Sequence, residues 1–351
     1  MEVINVAFIG NLNDAYMLSG AGLGNMFFNS FWVAVYLGIN GALETLVSQA
    51  YGAKNWKLCG ETVNTGAFVL LVLFIPVFFL LFFIGDILVW LNVDATSAYY
   101  ATLYSRALII GLIMQALYDL LRKFLIMMGR ALMPTLIQGF TLPLHFLFNY
   151  LLVNKAGMGV TGSGIATSLT FSLNMILVVI VVMCTEETRK CLTWPKPSEI
   201  LPRSWSYFLL GVPTSLMSCL DIWAFTGLTL ISSYLGVYEN AGQVIMLNVI
   251  SILYSIPLGF ASACCALVGN QMGKGRHEKA KVYAKQGFFT VMMFSIAPCL
   301  MFAIFPDKIT GIFTSDPVII DVCHNAMLFS SIGFFADAAQ GTMQGVVKGV
   351  G

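Results

Sequence analysis

The sequence predicts an all-α protein that crosses a membrane many times, and three observations support this prediction. Of the 351 residues, 58% are hydrophobic and only 10% are charged, whereas soluble domains carry about 25% charged residues. Several runs without Lys, Arg, Asp or Glu are long enough for a helix to cross about 30 Å of hydrocarbon. These runs lack the alternation of polar and apolar residues that membrane-spanning strands show. The longest runs are 15–43, 62–85, 131–154, 156–185 and 240–273.

The runs and their flanks define the expected spans in chain order. Residues 1–10 have the composition of a further span, but ten helical residues reach only about 15 Å, so we expect the chain to begin inside a helix. The complete spans are placed at 16–43, 64–91, 99–128, 132–154, 160–184, 207–236, 241–269, 286–306 and 321–350.

Lys and Arg are concentrated in alternate connections, which sets the expected orientation. Cytoplasmic connections carry an excess of these residues. The richest connection is 274–285, and the opposite set of connections is mainly acidic. We therefore expect the basic set to face the cytoplasm. Its cations are Lys54, Lys57, Arg122, Lys123, Arg130, Arg189, Lys190, Lys196, Arg203, Lys274, Arg276, Lys279, Lys281 and Lys285.

A weak internal repeat predicts two pseudo-symmetric lobes. The segments "LVSQAYGAKN" (46–55) and "LVGNQMGKGR" (267–276) both end a span, turn at a glycine and become basic. Parallel repeats of this kind are common in transporters. We expect an N-terminal lobe at 1–184, a cytoplasmic linker at 185–204 and a C-terminal lobe at 205–351 whose last two spans are missing.

Two carboxylates lie deep within the expected spans of the second lobe. Asp221 shares a helical face with Thr214 and Ser218, and Asp337 shares one with Gln340 and Gln344. Because a charge at the centre of a bilayer costs about 2.5–3.5 kcal/mol on insertion scales, such acids are candidate ion or substrate ligands. The alternative is that they make only hydrogen bonds between helices. Asn248 and Ser251 add a weaker polar patch.

The first lobe has amides where the second has acids. On the second span, amide and aromatic residues recur every three or four positions and form a stripe along one slowly rotating helix face. Such a stripe predicts a cavity for a flat, partly polar or cationic organic molecule. Packing between helices is an equal alternative. For Asp119 we expect an ion pair with Arg122. For His145 we expect a packed ring with a hydrogen bond. The stripe consists of Asn25, Asn29, Trp32, Tyr36 and Asn40, extended by Glu44.

Several classes of site are disfavoured by the sequence. The eight cysteines and three histidines show no metal-ligand spacing, so we expect no metal. No phosphate-binding loop for ATP occurs. The net charge of +1 gives no reason to expect a nucleic-acid partner. We expect a monomer in the lipid bilayer that is not an enzyme and has no cofactor.

Five segments closely resemble motifs of the eukaryotic multidrug and toxic compound extrusion (MATE) family, and the resemblance covers nearly the whole chain. They are "FIGNLND" (8–14), "ALETLVSQAYGAKN" (42–55), "PTSLMSCLDIWAF" (213–225), "LVGNQMGKGRHEKA" (267–280) and "LFSSIGFFADAAQGTMQGVVKGVG" (328–351). The resemblance implies two six-helix lobes around a cleft, of which this chain lacks half of the first span and all of the last two.

The resemblance also implies roles for individual residues. Asp221 and Asp337 match the family's acids of spans seven and ten, and Asn29 matches a cleft asparagine. Thr226 and Asn248 stand where many members have a glutamate. Glu44 either pairs with a cytoplasmic cation to close an inner gate or only stabilises its turn.

The implied function is a secondary-active antiporter in the plasma membrane or a vacuolar-type membrane. It would export organic cations, drugs or metabolites by alternating access in exchange for H⁺ or Na⁺. Two alternatives stay open from the sequence. One is a flippase of the same architecture for a lipid-linked substrate, and the other is an inactive or regulatory fragment.

Overall fold

The protein is described by a computed structural model over residues 1–12, 14–194, 196–314 and 316–351. All regular elements in these residues are helical. The helices are α1 (Glu2–Gly10), α2 (Ala15–Phe28), α3 (Ala34–Gly52), α4 (Trp56–Phe82), α5 (Ile84–Trp90), α6 (Ala95–Met127), α7 (Leu132–Asn149), α8 (Gly159–Cys184), α9 (Glu186–Arg189), α10 (Pro197–Leu235), α11 (Val237–Gly273), α12 (His277–Ile304), α13 (Pro306–Thr310) and α14 (Pro317–Val350). Single π-helical turns at Asn29–Val33 and Tyr150–Lys155 continue α2 into α3 and extend α7.

Eight helical segments in the described residues are long and apolar enough to cross a membrane. Although α4 ends at Phe82, nine residues before the expected end of span 64–91, these segments overlap every expected complete span except 99–128. That region is nonetheless one helix of 33 residues, α6. Its length contains four charged residues, Arg106, Asp119, Arg122 and Lys123. These charges lower the mean hydropathy of the segment, but the segment is still one continuous helix.

The chain forms two compact units whose borders differ from the predicted ones. The first unit comprises residues 1–43 and 56–219, and the second comprises 44–55 and 220–351. The described residues of the predicted linker, 185–194 and 196–204, contact the first unit: Asn64 Nδ2 donates to the Thr193 carbonyl oxygen at 2.9 Å, and Arg203 pairs with Glu61. Two of the three unit borders fall inside the continuous helices α3 and α10, so composition does not mark them.

The internal repeat is visible in the local structure. Asp94 caps α6 by accepting hydrogen bonds from the Thr96 and Ser97 amides, and Asp316 caps α14 by accepting one from the Val318 amide. Such N-caps satisfy backbone donors that the first turn of a helix leaves free. The two acids thus occupy equivalent positions at the start of equivalent helices.

The two repeated corners have the same backbone geometry and pack against each other in the second unit. Lys54 has φ 59° and its counterpart Gly275 has φ 68°. Each follows a helix that ends with matching hydrogen bonds, from Asn55 N to Ala50 O and from Arg276 N to Gln271 O. A Cβ atom on Gly52 would collide with the backbone of Asn270. The glycine corner therefore allows close helix contact.

Candidate functional site

A cavity in the first unit is bounded by three residues of the predicted stripe, Asn25, Asn29 and Tyr36. The cavity is partly open to its surroundings and has a volume of about 150 Å³. The other polar groups around it come from α1, α6 and α8, and apolar side chains complete the wall. A pocket with a few convergent polar groups in an otherwise apolar wall is typical of small-molecule sites. The additional polar residues are Glu2, Asn5, Tyr104, Gln115 and Thr167.

Hydrogen bonds fix the stripe residues at the cavity wall. Asn29 Nδ2 donates to Glu2 Oε1 at 3.0 Å, and Tyr104 Oη donates to Asn25 Oδ1 at 2.9 Å. Asn29 also begins the π-helical turn. Turns of this kind occur often at functional sites. The cavity therefore has one carboxylate, Glu2, surrounded by amides and phenols.

Asn40 lies in a buried polar cluster beyond the residues that line the cavity. Its Nδ2 donates to Asp119 Oδ2 at 2.9 Å. Asp119 also accepts from Arg122 at 2.5 Å and lies 3.8 Å from Lys123 Nζ. The predicted pair of Asp119 with Arg122 is confirmed. Trp32 is buried as well and donates to the Leu112 carbonyl oxygen at 3.1 Å.

His145 has the packed, hydrogen-bonded environment predicted for it. The ring is buried, with Nδ1 2.9 Å from Thr170 Oγ1 and Nε2 3.0 Å from Asn5 Oδ1. Asn149 Nδ2 donates to the same oxygen of Asn5 at 3.1 Å. Because Asn5 also lines the cavity, this network supports one of its walls.

In the second unit Asp221 of α10 and Asp337 of α14 lie close enough to interact electrostatically. Both carboxylates also lie within electrostatic range of the Tyr254 hydroxyl in α11. The two carboxylates are half-buried. No Lys or Arg of the described chain forms a salt bridge with either of them. A Cβ atom on Gly341, one turn after Asp337, would lie 3.4 Å from the Tyr254 hydroxyl. Three helices thus bring two unpaired carboxylates and a phenol together.

Two of the other predicted residues of the second unit, Asn248 and Gln340, are more exposed than the two acids. Asn248 is exposed, and its Nδ2 donates to the Val244 carbonyl oxygen of its own helix at 2.8 Å. Gln340 is also exposed, one turn after Asp337. Gln344 is half-buried and its Nε2 has no hydrogen-bond partner in the described residues.

Glu44 has the cationic partner that the gate hypothesis requires. Lys348 Nζ lies 3.3 Å from Glu44 Oε2, and Glu44 is buried. Beside them Gln49 Nε2 donates to the carbonyl oxygens of Gly349 and Val350 at 3.1 and 2.8 Å. These contacts join the end of α3 to the end of α14 within the second unit.

Comparison with known proteins decides the family. The MatE family model matches residues 1–151 and 213–351. The chain belongs to the MatE family. Multidrug and toxin extrusion protein 1 of Xenopus tropicalis is 30% identical over all of this chain. Protein DETOXIFICATION 17 of Arabidopsis thaliana is also 30% identical over all of it. This chain spans 61% of the length of the Xenopus protein and 74% of the length of the Arabidopsis protein.

Solved structures agree with the fold. The crystal structure of the eukaryotic MATE transporter AtDTX14 matches 99% of this chain and 78% of its own, with 26% identity and a TM-score of 0.87. A Vibrio cholerae MATE transporter, VcmN, shares the fold with a TM-score of 0.88 at 17% identity. The protein is a multi-pass integral membrane protein of a transporter family, not an enzyme. In the described residues no three His, Cys, Asp or Glu side chains cluster as metal ligands.

Sequence reasoning did not select six polar residues that the structure places at these sites. They are Glu2, Asn5, Tyr104, Gln115 and Thr167 at the cavity of the first unit and Tyr254 beside the acids of the second. A weak signal existed for two of them. Glu2 precedes Asn5 by one helical turn, and Tyr254 follows Ser251 by one turn in the polar patch of α11.

Proposed function

We propose that this MatE chain forms the transport core of a secondary-active antiporter. It exports organic cations, drugs or metabolites by alternating access in exchange for H⁺ or Na⁺. The single observation that carries the proposal is the pair of Asp221 and Asp337 without a cationic partner in the described residues. A permanently paired acid cannot change its occupancy, whereas an unpaired one can bind a proton, a metal cation or a cationic substrate in turn.

Coupling follows from competition for the two carboxylates. When they are deprotonated they attract a cationic substrate, and protonation removes that attraction. Substrate binding and proton release therefore favour each other reciprocally. A difference of one pH unit across the membrane supplies about 1.4 kcal/mol per proton. Tyr254 adds a polar hydroxyl within electrostatic range of both carboxylates.

We further propose that the cavity of the first unit takes part in substrate recognition. Asn25, Asn29 and Tyr36 offer amide and phenol groups, while Phe28 and Phe171 offer aromatic surface. Such a lining suits a flat organic cation because aromatic faces attract positive charge. We propose a smaller contribution to substrate binding from three other residues, Asn40, Asn248 and Gln340. Asn40 already donates a hydrogen bond to Asp119, and the other two are exposed.

The coupling proposal is tested with Asp337→Asn, which keeps the size of the side chain but removes its titration. We expect it to abolish accumulation of tetraethylammonium in proteoliposomes under an imposed pH or Na⁺ gradient. The matched control is Asp321→Asn, the same substitution at an exposed acid on the same helix, which should transport like the original chain.

The comparison of H⁺ and Na⁺ gradients identifies the coupling ion. Full gradient-driven accumulation by Asp337→Asn would refute its coupling role. If the original chain accumulates nothing under either gradient but accelerates lipid flipping, the flippase alternative replaces the antiporter.

A further inference from the structure

An exposed arginine, Arg106, lies beside the end of α4 in the first unit. Its Nε and Nη2 donate hydrogen bonds to the carbonyl oxygen of Phe82 at 3.3 and 3.2 Å. Its guanidinium carbon also lies 4.4 Å from the centre of the Phe82 ring. The last turn of a helix leaves carbonyl oxygens without a helical partner. Arg106 therefore satisfies one of them, and these contacts hold its guanidinium in place.

The length of α4 places this arginine near one surface of the membrane. Glu61, which pairs with Arg203 and lies 3.4 Å from Lys57, marks the polar beginning of α4. From Glu61 to Phe82 the helix rises about 32 Å at about 1.5 Å per residue. This rise matches the hydrocarbon thickness of about 30 Å. Phe82 and Arg106 thus lie at the interface opposite Glu61, at the depth of phospholipid phosphates.

Arg106 retains hydrogen-bonding capacity at this depth. Arginine has five N–H donors, and the contacts with Phe82 use two of them. No carboxylate forms a salt bridge with Arg106 within the described parts of the chain. A charged side chain on the lipid-facing surface normally reaches a polar partner at the interface. The remaining donors and the full positive charge are available to an anion.

Exposed apolar side chains lie beside Arg106 on α4 and α6, while the exposed acid Asp86 follows on α5. Phe79, Phe83 and Ile110 have 55%, 49% and 66% of their surface exposed. Ile110 follows Arg106 by one turn of α6 and so lies on the same face. A fixed cation bordered by exposed apolar side chains complements a molecule that has an anionic head and apolar chains.

We propose that Arg106 and this apolar surface form a binding site for the phosphate of a membrane phospholipid. A planar guanidinium donates paired hydrogen bonds to phosphate oxygens in a way that a lysine does not. The acyl chains would cover Phe79, Phe83 and Ile110. Free phosphate shares the head chemistry but leaves these side chains uncovered, so the surface favours a phospholipid. A bound phospholipid would bridge α4 and α6 at the interface.

The test measures binding of dioctanoyl phosphatidylglycerol to the purified chain in detergent by native mass spectrometry. We expect Arg106→Gln to weaken binding by about tenfold or more, because a hydrogen-bonded charge pair is lost. Arg106→Lys, which keeps the charge without the planar fork, should give an intermediate loss. Lys308→Gln is the matched control: Lys308 Nζ lies 5.1 Å from the centre of the Phe305 ring, and the variant loses the same charge.

Two further ligands separate the sources of the effect. Dioctanoyl glycerol lacks the phosphate and should bind no better to the original chain than to Arg106→Gln. Inorganic phosphate should not displace the phospholipid at equal concentration, and equal displacement would overturn the lipid assignment. Unchanged binding by Arg106→Gln, or an equal loss in Lys308→Gln, would overturn the site itself. If Arg106→Gln lowers the apparent Tm of the chain, Arg106→Lys decides the result, and phospholipid binding unchanged in that variant also counts against the site.

Discussion

At the scale of single residues, Asn29 and Asn40 belong to one predicted stripe but have different surroundings. Asn29 bounds the cavity and donates to Glu2, whereas Asn40 is fully buried and donates to Asp119. The π-helical turn at Asn29–Val33 lies between them. Tyr36, which follows this turn, still lines the cavity, so Asn40 lies outside it because it is one further turn along α3.

This difference yields a prediction for the matched pair Asn29→Leu and Asn40→Leu. We expect Asn29→Leu to impair tetraethylammonium transport in proteoliposomes while leaving the apparent Tm unchanged. We expect Asn40→Leu to lower stability by about 1–3 kcal/mol, because buried Asp119 loses a hydrogen-bond donor. Thermal unfolding in detergent measures the stability of both variants. Equal transport by Asn29→Leu and the original chain at equal protein level would leave Asn29 with a packing role only.

At the scale of elements, the ends of α3 and α14 are joined by an ion pair and two hydrogen bonds. Glu44 and Lys348 form the pair, and Gln49 donates to the last carbonyl oxygens of α14. We propose that this connection holds an inner gate closed. Breaking the pair in a largely buried position leaves a charge without its partner, which costs more than losing a surface pair.

The gate proposal predicts greater access to the helix contact after Glu44→Gln. Ser48 is fully buried and borders Gly269, so a cysteine at Ser48 reports opening. In a chain without native cysteines, we expect Glu44→Gln to raise its labelling rate several-fold with little change in apparent Tm. The control is Lys279→Gln, which removes an exposed charge shortly after Gly269 in the sequence. A lower Tm without faster labelling would assign Glu44 to turn stability alone.

At the scale of the whole molecule, the distribution of Lys and Arg predicts how the chain lies in the membrane. The connection between α11 and α12 is basic and exposed, while α13 lies at the other end of α12. The positive-inside rule therefore places Lys279 in the cytoplasm and Lys308 outside.

The orientation is tested by placing single cysteines at these two positions in a cysteine-free chain. In sealed cells an impermeant thiol reagent should label Lys308→Cys and should not label Lys279→Cys until the cells are opened. Because Lys279 lies at the start of α12 and Lys308 lies just after its end, they must lie on opposite sides if α12 spans the bilayer. The reverse labelling pattern would invert the orientation, and labelling of both from outside would contradict the span.

The sequence by itself determined the helical class, the positions of the long helices and the family. These features depend on local properties: long apolar runs, short family motifs and glycine corners at repeated positions. The pairing of Asp119 with Arg122 was equally predictable, because residues three apart on a helix are neighbours. The packing of His145 followed from its position among apolar residues.

Only the tertiary structure decided which distant residues meet. It brings Asp221, Asp337 and Tyr254 together from three helices, and it pairs Glu44 with Lys348 across more than 300 positions of the chain. It also places residues 44–55 in the second unit, although α3 begins in the first. The physical reason is that backbone hydrogen bonds form a helix locally, whereas its rotation and its neighbours depend on packing along its whole length. Asn29 and Asn40 share one regular sequence pattern, yet only Asn29 lines the cavity, because different helices pack beside the two residues.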